Sequence, residues 1–247
     1  MSIDACKDPV SLDRFRPELV IFDCDGVLID SEIISATTLM RLLEEHGLHI
    51  DLAHVQRNFL GRSFPTVAAS IRTDFQLDLP ASFEGEYRKR LLAQFEKDLF
   101  LNEGITAILD TLAVPYCVAT SSSPERVQRS LKIVGLDRYF QGHTYTASEV
   151  ENGKPAPDLF LHVAEREGCD PAACLVIEDS MPGVEAAVAA GMTVLRYVGG
   201  SHFDGVRSEL VAGHGHGAVF GSWNEFYDLV PALKRRGSER GTRGRQI

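Results

Sequence analysis

A series of short, unbroken apolar runs, each halted by polar residues, constrains this chain more than any other feature. Leu19-Val20-Ile21-Phe22 halts at Asp23-Cys24-Asp25-Gly26. Runs of this length with no polar alternation are the pattern of strands covered on both faces, as in a parallel sheet. The pattern recurs at Tyr116 to Thr120, more faintly at Thr144 to Ala147, at Cys174 to Ile177 and at Thr193 to Tyr197, with Ala218-Val219-Phe220 as a sixth candidate. Helical spacing fills the intervals. It covers Pro124 to Val134 behind a serine cluster able to cap it, then Pro157 to Gly168 and Gly183 to Ala190, with Gly168 and Gly191 as stops. Strands alternating with helices predict an α/β fold, a doubly wound parallel sheet covered on both faces.

One stretch breaks the alternation. Residues 33–99 carry helical patterns and no convincing strand; Ile33 to His46 is amphipathic and stops at Gly47, and Phe83 to Phe95 is a second long helix. This is too long for one crossover helix and predicts an inserted, small all-α subdomain. The expected organisation is a core of residues 17–32 and 100–225, an insertion of residues 33–99, and a basic tail of residues 233–247 that reads as a solvated, poorly ordered terminus.

The formal net charge of −10 argues against nucleic acid as a partner, because phosphate backbones are held by clustered Lys and Arg. A small phosphorylated ligand needs only a few local cations. No apolar run is long enough to span a bilayer, and the polar N-terminus lacks a signal-peptide core, so a cytoplasmic protein with no membrane partner is expected. The cysteines (Cys6, Cys24, Cys117, Cys169 and Cys174) are odd in number and fit no zinc spacing, which reads as buried, reduced thiols.

Chemistry gathers where the predicted strands end, the side of an open parallel sheet where ligands bind. Asp23 and Asp25 are two acids at i and i+2, costly to hold together unless a cation or proton separates them. Magnesium prefers such oxygen ligands. Taken alone, the pair reads first as acids that merely end a strand and cap the next loop. Thr120-Ser121-Ser122-Ser123 offers hydroxyls and N–H groups to a phosphate at a helix start, or else simply caps that helix. Lys154, between Gly153 and Pro155, is either a fixed cation or a solvated loop residue. Glu178-Asp179-Ser180 is a second acidic strand end, or a cap on the next helix.

Together and in this order, these segments resemble the haloacid dehalogenase superfamily. The resemblance spans Pro17 to about His202 and is most specific at Phe22 to Glu32, at Lys154-Pro155-Ala156-Pro157-Asp158 and at Glu178-Asp179-Ser180-Met181-Pro182-Gly183. The helical insertion resembles the α-helical cap of the β-phosphoglucomutase-like branch. Within it, Phe22 to Gly26, Val114 to Val118 and Gly191 to Val194 look most like bacterial 6-phosphogluconate phosphatases. The resemblance implies a magnesium-dependent phosphatase acting on a small phosphosugar or phosphosugar acid. Asp23 would be the nucleophile that forms an aspartyl-phosphate, and Asp25 the acid and base. Magnesium would be held by Asp23, the Asp25 carbonyl and Asp179, with Glu178 nearby. Thr120, Ser121, Ser122 and Lys154 would hold phosphoryl oxygens. Arg62, in the cap, is a candidate contact for a substrate anion or else a surface arginine.

The alternative implied by the branch is a phosphosugar mutase. Mutases carry a histidine at the place of Ser35 and a phosphate-binding arginine at the place of Phe64. Both departures weaken that reading. Asp25 weakens a dehalogenase reading, since a departing halide needs no proton.

Overall fold

The structure, a computed structural model, describes residue 12, residues 15–212 and residues 218–235. Six parallel strands form one sheet: β1 (Leu19–Phe22), β2 (Tyr116–Thr120), β3 (Thr144–Thr146), β4 (Cys174–Glu178), β5 (Thr193–Tyr197) and β6 (Ala218–Phe220). Their order is β3-β2-β1-β4-β5-β6. The chain leaves β1 toward one side to build β2 and β3, then crosses back to lay β4 against β1. The order therefore reverses beside β1, and this switch point opens a crevice at the carboxyl ends of the strands.

The two-residue period of a strand divides β1 between two cores. Val20 and Phe22 pack with Val118, Leu175, Ile177, Leu195 and Trp223 on one face. Leu19 and Ile21 pack with Cys117, Ala119, Val176, Val194 and Phe160 on the other. All four β1 side chains are at most 2% exposed. Each stabilises the fold by roughly 1.5–3 kcal/mol through removal from water.

The helices are α1 (Glu32–Glu45), α2 (Leu52–Asn58), α3 (Phe64–Phe75), α4 (Phe83–Asp98), α5 (Ile105–Thr111), α6 (Pro124–Ile133), α7 (Asp158–Glu167), α8 (Met181–Ala189), α9 (Arg207–Ala212) and α10 (Phe226–Leu229). The segment predicted to be all helical folds as α1 to α4. These share a hydrophobic cluster separate from the two that flank the sheet. In α4 the buried residues Phe83, Tyr87, Leu91, Leu92 and Phe95 recur at helical spacing and meet Leu39, Leu42 and Leu43 of α1 in that cluster.

Two boundaries differ from the sequence reading. Helix α8 starts at Met181, before Gly183, because Ser180 caps it: its hydroxyl accepts the Gly183 N–H at 3.2 Å, and Pro182 suits the first turn. The head of the expected tail is fixed on the core. Leu233 is 1% exposed, and the Ala113 N–H donates to its carbonyl at 2.8 Å. An apolar side chain there completes the cluster around Trp223. Residues 236–247 of that tail, and Cys6, lie outside the described residues. Cys24, Cys117 and Cys174 are buried thiols and Cys169 is partly exposed. No helix among the described residues is long and apolar enough to cross a membrane.

Candidate active site

Strand register assembles the site. Phe22 pairs with Val118 of β2 on one side and Ile177 of β4 on the other. The Asp23 N–H donates to the Ile177 carbonyl at 2.9 Å, which carries the pairing one residue past β1. Asp23 thus stands beside Glu178 and across from the end of β2. Both acids are buried, Asp23 at 5% and Glu178 at 0% exposure.

Lys154 enters from the loop beyond β3 and joins these acids. Its ammonium donates to Asp23 Oδ1 at 2.8 Å, to Glu178 Oε1 at 2.6 Å and to the Ala119 carbonyl at 3.1 Å. All three donors of the ammonium are used. Burial works against the charged lysine, but the two carboxylates outweigh it and hold the ammonium above its ordinary range. Asp23 Oδ2, by contrast, has no hydrogen-bond partner among the described residues. The Glu178 carboxylate is fixed on its other side by the Ser180 N–H and hydroxyl, at 2.8 and 2.9 Å.

Asp25 has a different environment. Oδ1 accepts from the Ser31 hydroxyl and from Arg126 Nη2, each at 2.6 Å, and Oδ2 accepts from the Ser122 hydroxyl at 2.6 Å. Burial pushes the Asp25 carboxyl up, yet the Arg126 charge and these bonds prevail and bring it below the usual range. Asp23 goes the other way. Burial raises it well above the usual range, Lys154 opposes this, and Glu178, Asp179 and Asp25 add to it. Two acids one residue apart are thereby driven in opposite directions.

Asp179 completes a metal-binding geometry. Its carboxylate and those of Asp23 and Glu178 have oxygens within 4.8 Å of one another. Asp179 Oδ2 lies 3.0 Å from His202 Nε2, while Oδ1 is buried with no partner. An orphaned, buried carboxylate oxygen between two other acids fits a hard divalent cation. The charges agree. Asp23, Asp25, Glu178 and Asp179 are buried acids with only Lys154 and Arg126 as paired cations, and burial and mutual repulsion raise Asp23 and Asp179, a strain that a divalent ion would relieve. Gly26, at φ +77°, keeps the approach open; a methyl group there would overlap the Asp179 carboxylate.

The hydroxyl run after β2 is engaged in this structure. Thr120 Oγ1 accepts the Ser122 N–H at 3.1 Å, and the Ser121 hydroxyl donates to the Gly61 carbonyl of the helical insertion at 3.2 Å. A second tie between insertion and core runs from Gln56 Nε2 to the His202 carbonyl at 3.2 Å. Arg62 is exposed, with no side-chain partner among the described residues. It lines the mouth of a cavity of about 70 Å³ that has Asp23 and Asp25 in its wall.

Arg126, Glu32 and His202 stand at the site without a sequence expectation, and Ser35, read in the sequence only as the place of the mutase histidine, joins them. Arg126 Nη2 also donates to the Ser35 hydroxyl at 3.0 Å. Glu32 is 4% exposed, and burial, with Asp25 and Asp179 nearby, pushes its carboxyl up to about 8. One signal was available in the sequence: Arg126 is a cation in the first turn of α6, the end of a helix that disfavours positive charge.

Known proteins agree with this architecture. The model of the family described as haloacid dehalogenase-like hydrolase matches residues 17–191. The 6-phosphogluconate phosphatase of Escherichia coli (strain K12) is 28% identical over 189 residues, covering 76% of this chain and 85% of that protein. A phosphorylated carbohydrates phosphatase of Thermotoga maritima is 30% identical over 182 residues, 71% of this chain and 82% of its own. A solved haloacid dehalogenase-like protein of unknown function from Agrobacterium tumefaciens superposes with a TM-score of 0.72 at 34% identity, over 87% of this chain and 98% of that one. The chain belongs to the haloacid dehalogenase-like hydrolases.

Proposed function

We propose that the chain is a magnesium-dependent phosphatase that hydrolyses a small phosphosugar or phosphosugar acid, with 6-phosphogluconate a leading candidate. One observation carries the reading. Asp23 is held through one oxygen by a buried lysine, leaves the other oxygen without a described partner, and shares with Glu178 and Asp179 a cluster of acid oxygens that suits a divalent cation. The relatives named as phosphatases of phosphorylated carbohydrates support it.

In this reading Asp23 Oδ2 attacks phosphorus, the leaving alcohol departs, and an aspartyl-phosphate forms. Lys154 keeps the Asp23 carboxylate oriented and offers positive charge to the phosphoryl oxygens. Thr120, Ser121 and Ser122 supply hydroxyls and N–H groups to those oxygens once their present bonds give way. Asp25 gives its proton to the leaving oxygen and later takes one from the water that cleaves the aspartyl-phosphate. The geometry seen, with Arg126 and two hydroxyls on Asp25, favours the carboxylate, so the acid form requires Arg126 to let go. Magnesium, held by Asp23 and Asp179 with Glu178 close by, would offset repulsion between nucleophile and phosphate. Residues 33–99 serve as a cap over the site and exclude bulk water. Ser35 counts against the mutase alternative.

The test is phosphate release from an aryl phosphate by wild type and Asp23→Asn, with magnesium or with EDTA. Wild type turns over only with magnesium, and Asp23→Asn, at unchanged thermal stability or above it, does not. Substantial turnover by the variant would end this mechanism. A panel of phosphometabolites ranked by kcat/KM then identifies the substrate.

A further inference from the structure

Lys154 is committed to Asp23 and Glu178, but the hydrogen bonding of Arg126 is half finished. One nitrogen, Nη2, makes both of its bonds, to Asp25 and Ser35. Nε is buried and has no partner. Nε and Nη2 form the edge of a guanidinium that meets a carboxylate with two parallel bonds. Asp25 does not complete that pair in this structure: its second oxygen accepts from the Ser122 hydroxyl, and Nε reaches neither oxygen. A buried donor left without an acceptor is costly, and a cation in the first turn of a helix adds to the cost. Both costs are recovered if a second carboxylate arrives at that edge.

The position of Arg126 indicates where such a group would come from. Beyond the small cavity at Asp23 lies an outer one of about 360 Å³. Six residues line both: Arg62, Phe64, Tyr87, Ser121, Ser122 and Arg126. Arg126 is therefore part of the passage between the reacting end of a ligand and the space for the rest of it. Its guanidinium stands 5.4 Å from the Phe95 ring, which gives it an apolar guide along which to shift. Arg62 faces the same passage from the cap with no bond to break.

We propose that Arg126 is the receptor for a carboxylate carried on the leaving alcohol of the substrate, and that its guanidinium passes from Asp25 to that carboxylate when the substrate binds. The assignment rests on the phosphatase reading above and deepens it, since it selects sugar-acid phosphates over neutral sugar phosphates. It also places the selecting cation on α6 of the core, with Arg62 of the cap in an assisting place. A substrate without the carboxylate leaves Arg126 on Asp25 and reacts more slowly.

The experiment compares 6-phosphogluconate with sorbitol 6-phosphate, which are alike except that a carboxylate in one is a hydroxymethyl group in the other. Fructose 1,6-bisphosphate supplies a second phosphate, and an aryl phosphate reports the bare chemistry. Wild type favours 6-phosphogluconate over sorbitol 6-phosphate by about tenfold or more in kcat/KM, the scale of a charge-assisted bond. Arg126→Gln brings the ratio close to one, mainly through KM for the acid, while Arg126→Lys restores part of it. Arg129→Gln, on the same helix but paired with Glu96 at the surface, keeps the wild-type ratio. If Arg126→Gln fails to fold, the wild-type ratio and Arg126→Lys decide. Equal use of the two substrates by wild type overturns the proposal, as does preference for the bisphosphate over the acid, or an unchanged ratio in Arg126→Gln. Hydrolysis of the aryl phosphate alone also overturns it and leaves the phosphatase reading standing; no hydrolysis of any of the four removes that reading too.

Discussion

Replacing Lys154 by Met removes one buried positive charge at nearly constant volume. The ammonium is 1% exposed and its acidic partners Asp23 and Glu178 are 7% and 0% exposed. Removing one partner of a buried ion pair leaves the other uncompensated, the costly case. The protein limits the damage by taking up one proton in place of the lost charge. For an aspartate of ordinary value 3.8, that uptake costs about 1.36 kcal/mol per pH unit above 3.8; since Asp23 is already raised in wild type, the added cost is at most about 4 kcal/mol at pH 7 and about 2 kcal/mol at pH 5.5. The sign follows from linkage. In the variant the folded carboxyl is raised above its unfolded value, so the proton-bound fold is stable below 3.8 and loses stability as pH rises toward the folded value. The deficit relative to wild type therefore grows with pH. Urea denaturation in EDTA at pH 5.5 and 7 measures it. A loss under about 1 kcal/mol at pH 7, or an equal loss at both pH values, would refute the account of Lys154 as the charge that holds these acids together.

Two further perturbations test other parts of the site. Glu32 is pushed up to about 8 in the fold against 4.5 in the unfolded chain, so wild type loses stability as pH rises from 4.5 through 8, by up to about 5 kcal/mol, and Glu32→Gln removes that loss. Denaturation in EDTA at pH 5 and 9 should show the variant gaining on wild type at the higher pH; parallel profiles would mean that Glu32 is not held neutral. Gly26→Ala places a methyl group against Asp179 and a side chain at φ +77°, which costs at least about 1–2 kcal/mol. The thermal shift that magnesium gives wild type should vanish in this variant, and a full shift would show that Asp179 does not need the space.

The residues legible in the sequence share one property. Asp23, Thr120, Glu178 and Asp179 stand at the ends of strands whose apolar runs mark them, and a parallel sheet brings strand ends together whatever the connecting lengths. Lys154 was legible only through the resemblance, since its setting of glycine and prolines by itself fits a solvated loop. Arg126, Glu32 and His202 were not, because a single charged or polar residue on an amphipathic helix or in a loop looks the same in sequence whether it faces solvent or a crevice. Ser121 and Ser122 were legible as site residues, but their present partners, the Gly61 carbonyl and Asp25, were not.

By itself the sequence determined the α/β sheet, the helical insertion after β1 and the acids at the strand ends, since these follow from local periodicity and from the end of each apolar run. Only the tertiary structure decided how the charges divide. The sheet order put Lys154 between Asp23 and Glu178, 131 and 24 residues away in the chain. The packing of α6 against the insertion put Arg126 on Asp25. Two aspartates two residues apart thus hold protons with opposite tendencies, Asp23 raised and Asp25 lowered. Burial and the nearest opposite charge set a carboxyl's affinity for protons, and neither exists until the chain has folded.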